Sequence, residues 1–161
     1  MLVSVSQAER EEIFEYWKGR FGVPPARVGG LQFLVRGRNV WAVADLDGLQ
    51  NALASHKVEA AGLPFLRRQK RMWKPTTAAM LFLDDTITKN VVNLTDDQLH
   101  PFLRGETLPG PFVVEPGYVA ARYGEKMLGC ALYGKAGLKS QLPRAWVAGL
   151  LGGKRETEEE Q

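Results

Sequence analysis

The chain has 161 residues, enough for one domain of ordinary size or two small ones, and its 45% hydrophobic content is enough for a core. Net charge is +3, and setting aside the four glutamates of the acidic end, 156–161, leaves a body near +7, a moderate basic excess that suits a polyanionic partner. Cys130 is the only cysteine, which excludes an intramolecular disulfide and a cysteine-based metal set, and no stretch reaches the roughly 18 apolar residues that a membrane-spanning helix needs.

Ser6 with Glu9 three positions on forms a capping box, and Ile13, Phe14, Trp17 and Phe21 follow as an apolar stripe opposed by Glu11, Glu12, Glu15 and Lys18. This predicts a helix that ends at Gly22, with Pro24-Pro25 preventing its resumption. LQFLVRGRNVWAVA then reads as two β-rich runs around Gly37-Arg38-Asn39, a hairpin signal. Asp45 is placed to cap a short helix with Leu46, Leu49 and Leu53 inward, after which KVEAAGLPFLRR returns as an extended segment. The first part is thus a compact α+β unit of about 70 residues.

Lys74-Pro75-Thr76-Thr77 marks a new start, with a short apolar helix over TTAAMLFL. NVVNL reads as a brief strand, and Thr95 with Gln98 forms a second capping box, opening a helix that carries Leu99, Phe102 and Leu103 before Gly105 ends it. LPGPFVVEPG is an extended connection into GYVAARYGEKMLGCALYGKAGLKSQLPRAW, residues 117–146. Alternation puts Tyr118, Ala120 and Arg122 on one face of its first strand and Val119, Ala121 and Tyr123 on the other, as for a half-buried strand. Turns at Gly124 and at Gly134 to Gly137 make it a three-stranded meander. The boundaries read from the sequence are an N-terminal α+β domain at 1–72, a second domain at 73–150 built as a mixed β-barrel with short helices, and an acidic tail at 151–161 expected to be disordered.

Few residues fit catalysis. His56 and His100 are lone histidines, and Cys130 sits mid-strand among Leu128, Ala131 and Leu132, where a small buried hydrophobe belongs rather than a nucleophile. No glycine pattern of a nucleotide loop follows a strand and opens a helix, and Asp84-Asp85 and Asp96-Asp97 read as helix-end acids rather than metal ligands. No cofactor is signalled.

The positive signal is RRQKRMWK, in which Arg67, Arg68, Lys70, Arg71 and Lys74 surround Trp73. Cations neutralise phosphates and release counterions, and an aromatic among them offers a surface for an unpaired base. At the expected junction of the two domains the run borders a groove, and Lys126, Lys135, Lys139 and Arg144 extend the basic footprint along the meander.

The 117–146 meander resembles the PUA-like RNA-binding domain, the module named for pseudouridine synthase and archaeosine transglycosylase. More closely it resembles the version at the C-terminus of Sun-family ribosomal RNA cytosine-5 methyltransferases, in which a GYV strand, a strand ending LG and an LKxxLP-like close recur. Upstream, EYWKGRFGVPP, VWAV, KPTTAA and FLRGETL are similar to the same region, so the resemblance spans most of residues 10 to 147. The catalytic half of that family, with its S-adenosylmethionine loop and Pro-Cys nucleophile, has no counterpart here, and Cys130 follows Gly129 inside the RNA-binding part. The resemblance therefore implies a non-enzymatic module that contacts structured RNA, ribosomal or transfer, through the helix beginning near Thr76 and the adjacent strand edges, and the single cysteine fits a reducing, cytoplasmic compartment. It implies as partners an RNA methyltransferase or a ribosomal particle, and no membrane. An alternative is an adaptor that supplies this region in trans to a separate methyltransferase.

Overall fold

The computed structural model describes residues 2–44 and 62–159. The helix expected after Asp45 and His56 lie outside the described residues. The chain divides into two compact units, Met1–Lys89 and Asn90–Gln161.

The first unit holds a five-stranded antiparallel sheet in sequence order: β1 (Val3–Ser4), β2 (Gln32–Arg36), β3 (Asn39–Val43), β4 (Leu63–Gln69) and β5 (Met72–Pro75). Helix α1 (Gln7–Phe21) starts where the capping box predicts, with the Glu9 N–H donating to Ser6 Oγ, and ends at Gly22 in the left-handed region. Its Ile13, Trp17 and Phe21 are buried, and Trp17 meets Phe65 of β4 with ring centroids 5.2 Å apart, while Phe65 meets Phe33 of β2 at 5.3 Å. Arg10 stacks over Phe14 and donates to the Leu31 and Gly29 carbonyls, closing the loop that carries α2 (Pro25–Val28).

Residues 73–89 belong to this first unit rather than to the second domain expected from residue 73 onward. The reason is pairing: β5 lies antiparallel on β4, with Leu66 opposite Pro75 and Arg68 opposite Trp73. Thr76 then caps helix α3 (Thr77–Phe82), its hydroxyl accepting from Ala79 N–H and donating to the Pro64 carbonyl at 2.6 Å. Ala79, Met80 and Leu83 are fully buried, and Thr88 and Lys89 both donate backbone N–H groups to Phe21 O at the end of α1. Thus the helix near Thr76, expected to form part of the PUA surface, is an element of the first unit.

In the second unit β6 (Val91–Leu94) pairs in parallel with β7 (Gly117–Tyr123), which pairs antiparallel with β8 (Lys126–Gly134), followed by β9 (Gly137–Ser140). This mixed sheet is a curled half-barrel, with a bulge at Ala121/Arg122 accentuating the bend. Helix α4 (Asp96–Leu103) carries the predicted capping box, with Thr95 N–H donating to Gln98 Oε1 at 2.9 Å. Phe102 of α4 joins Val92, Leu94, Leu108, Val119, Ala121, Leu128, Ala131 and Leu138 in one core. Leu108 and Leu138 exchange both backbone hydrogen bonds at 2.8 Å, tying the long connection to the free edge of β9.

Three expectations change here. The first strand of the meander is buried on both faces from Tyr118 to Ala121, because it is an inner strand between β6 and β8 rather than a half-exposed one. The third strand stops at Ser140, and Trp146 stands on helix α5 (Arg144–Glu159). The backbone of the acidic end, expected to be disordered, is helical through Glu159, since glutamate is a good helix former and extends a helix already started.

Gly137, at φ 124°, sits where a Cβ would overlap the Leu108 carbonyl oxygen. Gly137→Ala is therefore expected to destabilise the chain by at least the ~1–3 kcal/mol of a strained backbone, whereas Gly134→Ala, with nothing near it, is expected to be close to neutral. Urea or thermal melts of the two variants check this. The Tyr123 hydroxyl donates to Asp96 Oδ1 at 2.6 Å, and this hydrogen bond holds its pKa above 10.0. A raised tyrosine pKa stabilises the fold below pH ~10, and that contribution is lost as pH rises through the folded value. Asp96→Asn is expected to move one tyrosine to a lower midpoint in a spectrophotometric alkaline titration.

Candidate nucleic-acid interface

The basic run folds into the β4–β5 hairpin, with Lys70 and Arg71 at its two-residue turn and Lys70 in the left-handed region at φ 51°. Which way each cation points is fixed by a bulge. Val40 of β3 pairs with Leu66, and Trp41 pairs with Pro64, so Phe65 is one extra residue on β4. Phe65 and Leu66 are both buried, and the alternation of β4 is shifted by one from there onward.

The consequence is a division of the run between two faces. Arg68, opposite Trp73, shares the face that α1 covers, and its guanidinium lies 4.7 Å from the Trp73 ring centroid. Arg68 Nη2 also lies 3.5 Å from Glu12 Oε2 and 3.9 Å from Glu9 Oε2 on α1. Arg68 is thus partly neutralised and acts first as the guanidinium that packs against Trp73. With Glu12, Lys70, Arg71 and Met72, this pair lines a cavity of about 240 Å³. Trp73 is half-buried and Met72 exposed, so the cavity offers a cationic rim beside apolar surface. Arg67 and Lys74 pair with each other on the opposite face.

In the second unit, Lys139 on β9 and Arg144 at the start of α5 are exposed and line one groove with Leu103, Arg104, Gly105 and Leu142, of about 500 Å³. Arg104, not anticipated from sequence, caps α4 and pairs with Glu106 at 2.7 Å. Its position directly before the helix-ending Gly105 was the available signal. The other two meander lysines do not join this groove: Lys126 starts β8 and Lys135 follows its end, so the length of the strand separates them. Arg36 and Arg38, also unanticipated, flank Gly37 in the β2–β3 turn, and the Arg38 carbonyl accepts from Arg68 N–H at 2.7 Å. The R-G-R-N spelling of that turn held the signal, since a two-residue hairpin turn exposes its flanks.

Cys130 is buried within the sheet, and His100 lies in the last turn of α4. Among the described residues no group of three His, Cys, Asp or Glu side chains could hold a metal ion, and no helix is long and apolar enough to cross a membrane.

Residues 89–148 match the family model described as the methyltransferase RsmF PUA domain. No curated protein matches the chain. The match begins at the boundary between the units and takes in β6 through the start of α5, with the groove of Lys139 and Arg144 inside it. Residues 89–148 are therefore similar to a PUA domain of an RNA methyltransferase, a likeness that supports RNA binding in general terms. The matched region contains β6 to β9 and α4, and it leaves the basic hairpin of the first unit outside.

Glu9 and Glu12 hold Arg68 away from the role of a free cation. Replacing both by glutamine is expected to cost little stability, because exposed ion pairs contribute only about 0–1 kcal/mol. The same double variant is expected to elute later from a heparin column in a salt gradient than the wild-type chain.

Proposed function

We propose that this chain is a non-enzymatic RNA-binding protein that recognises structured RNA, ribosomal or transfer, as a cytoplasmic accessory in RNA modification or ribosome biogenesis. The observation that carries the reading is the groove in the PUA-like unit, where Lys139 and Arg144 are exposed beside apolar surface from Leu103, Leu142 and Val147. Cations there neutralise backbone phosphates, and the apolar wall suits a base or ribose face. The hairpin cations Arg67, Lys70, Arg71 and Lys74 add phosphate grip, Arg68 backs the Trp73 ring, Trp73 stacks on an unpaired base at the edge of its cavity, and Lys126 and Lys135 add diffuse attraction.

One observation favours the adaptor as a second reading. Trp146, Leu150 and Leu151 are exposed at i, i+4 and i+5 on α5, an apolar face suited to a protein partner such as a separate RNA methyltransferase or a ribosomal particle. That reading expects co-purification with the enzyme and weak RNA binding by the chain alone.

Anisotropy titrations with transcribed ribosomal and transfer RNA at two salt concentrations separate the two. RNA binding expects micromolar or tighter affinity that falls steeply with salt, and a loss of about tenfold or more in the Lys139→Glu/Arg144→Glu variant. Absence of salt-dependent binding at micromolar protein would overturn it.

A further inference from the structure

The cavity on the α1 side of the β4–β5 hairpin mixes chemistries that a plain phosphate site does not need. Lys70 and Arg71 reach it from the hairpin turn, Arg68 and Met72 from the strands, Trp73 gives it a half-buried ring, and Glu12 of α1 adds a carboxylate. The Arg68 guanidinium ties two of these together. It lies 4.7 Å from the Trp73 ring centroid, and its Nη2 is 3.5 Å from Glu12 Oε2. One cation thus sets an aromatic ring and an acceptor at the same cavity. At about 240 Å³ the cavity is smaller than the ~300 Å³ at which pockets for drug-sized molecules begin, so it takes a single ring system.

We propose that this cavity is a site for an unpaired guanine, with Glu12 as the residue that selects it. The proposal rests on the RNA-binding reading and names the base that the Trp73 ring receives. A carboxylate accepts hydrogen bonds and repels phosphate, so Glu12 turns the cavity away from the RNA backbone and toward a group that donates. Guanine presents two adjacent donors, N1–H and the N2 amine, on its Watson–Crick edge. Two parallel N–H groups match the two oxygens of a carboxylate, as an arginine fork does. Adenine and cytosine set an amine beside a ring nitrogen that accepts, and uracil sets its N–H between two carbonyls, so each of them opposes a lone pair to Glu12. Stacking on Trp73 is open to any base and adds affinity without choice, while Lys70 and Arg71 on the rim take the flanking phosphates. Glu9 also faces Arg68, at 3.9 Å, but does not line the cavity. It shares the charge of Glu12 without its reach to an occupant.

The test titrates the full chain with labelled oligouridine hexamers that carry guanosine, adenosine, cytidine or inosine at one internal position, and with a transcribed RNA hairpin. The guanosine hexamer is expected to bind about tenfold tighter than all-uridine, and inosine, which lacks the N2 amine, to keep only about threefold of that advantage. Glu12→Gln is expected to bring all the hexamers within about twofold of one another while holding or raising affinity for all-uridine, because a charge that repels phosphate is gone. Glu9→Gln removes the same charge and is expected to keep the wild-type preference. Binding of the RNA hairpin without a guanine preference among the hexamers would overturn the site and leave the RNA-binding reading standing. So would a preference that survives Glu12→Gln, or one that Glu9→Gln abolishes equally. Wild-type chain that binds neither the RNA hairpin nor any hexamer would overturn both. Unlabelled guanosine hexamer is expected to displace the label at lower concentration than free guanosine monophosphate, and displacement by the mononucleotide at equal concentration would overturn RNA as the source of the base.

Discussion

The single extra residue in β4 decides what the first unit presents to its surroundings. Phe65 has no partner of its own on β3, and the bulge lets both Phe65 and Leu66 enter the core, with Phe65 against Trp17 and Phe33. Burial of two successive large side chains fixes the register firmly, because a slip by one residue would expose them. Everything downstream inherits that phase. Arg68 and Trp73 meet under α1, while Arg67 and Lys74 emerge on the other side. An unbulged β4 would exchange these roles and set Arg67 against the α1 carboxylates.

The second unit depends on a different closure. Its β9 edge is short, and the connection from α4 would lie loose without the paired hydrogen bonds between Leu108 and Leu138. Gly137 makes that approach possible, since any Cβ there would meet the Leu108 carbonyl. Upstream, the Tyr133 hydroxyl accepts from Phe112 N–H at 3.2 Å, and the two rings meet edge to face, so the connection is held at a second point. The result brings the C-terminus of α4 beside β9 and the start of α5, and these are the walls of the Lys139 and Arg144 groove.

Local signals in the sequence were readable because they are closed within a few residues. The caps at Ser6 and Thr95, the Gly22 stop, a hairpin around Gly37-Arg38 and the three-stranded meander all follow from side-chain type and spacing, with the break one residue shorter than the Gly37-Arg38-Asn39 expected. The features that were not readable depend on partners far along the chain. That Met72–Pro75 would pair with β4, carrying α3 into the first unit, needs knowledge of which strand is available. Burial of β7 on both faces depends on its flanking strands, of which β6 joins in parallel across a helix and a long connection. The same limit applies to the site. RRQKRMWK announces a basic surface, but a charge run carries no phase, and only the bulge says that Arg68 turns one way and Arg67 the other. Arg36 and Arg67 come to neighbouring strands through their common partner Asn39, 31 positions apart in sequence, so no window of the sequence contains both.

The basic hairpin and the groove differ in what they could contribute to the proposed binding. Cations at a hairpin turn are close to sequence-blind, because phosphates look alike whatever bases they carry. They would raise encounter rate and affinity, both of which fall with salt. The groove beside β9 joins two exposed cations to leucine and valine side chains, so an occupant that brings a base or ribose as well as a phosphate gains from both. Discrimination between RNAs has to arise where polar and apolar contacts are combined, since only there does the wrong shape leave buried groups unpaired. In the proposed RNA-binding reading, specificity falls to the groove of Lys139 and Arg144, together with the Trp73 cavity, and general grip to the hairpin cations.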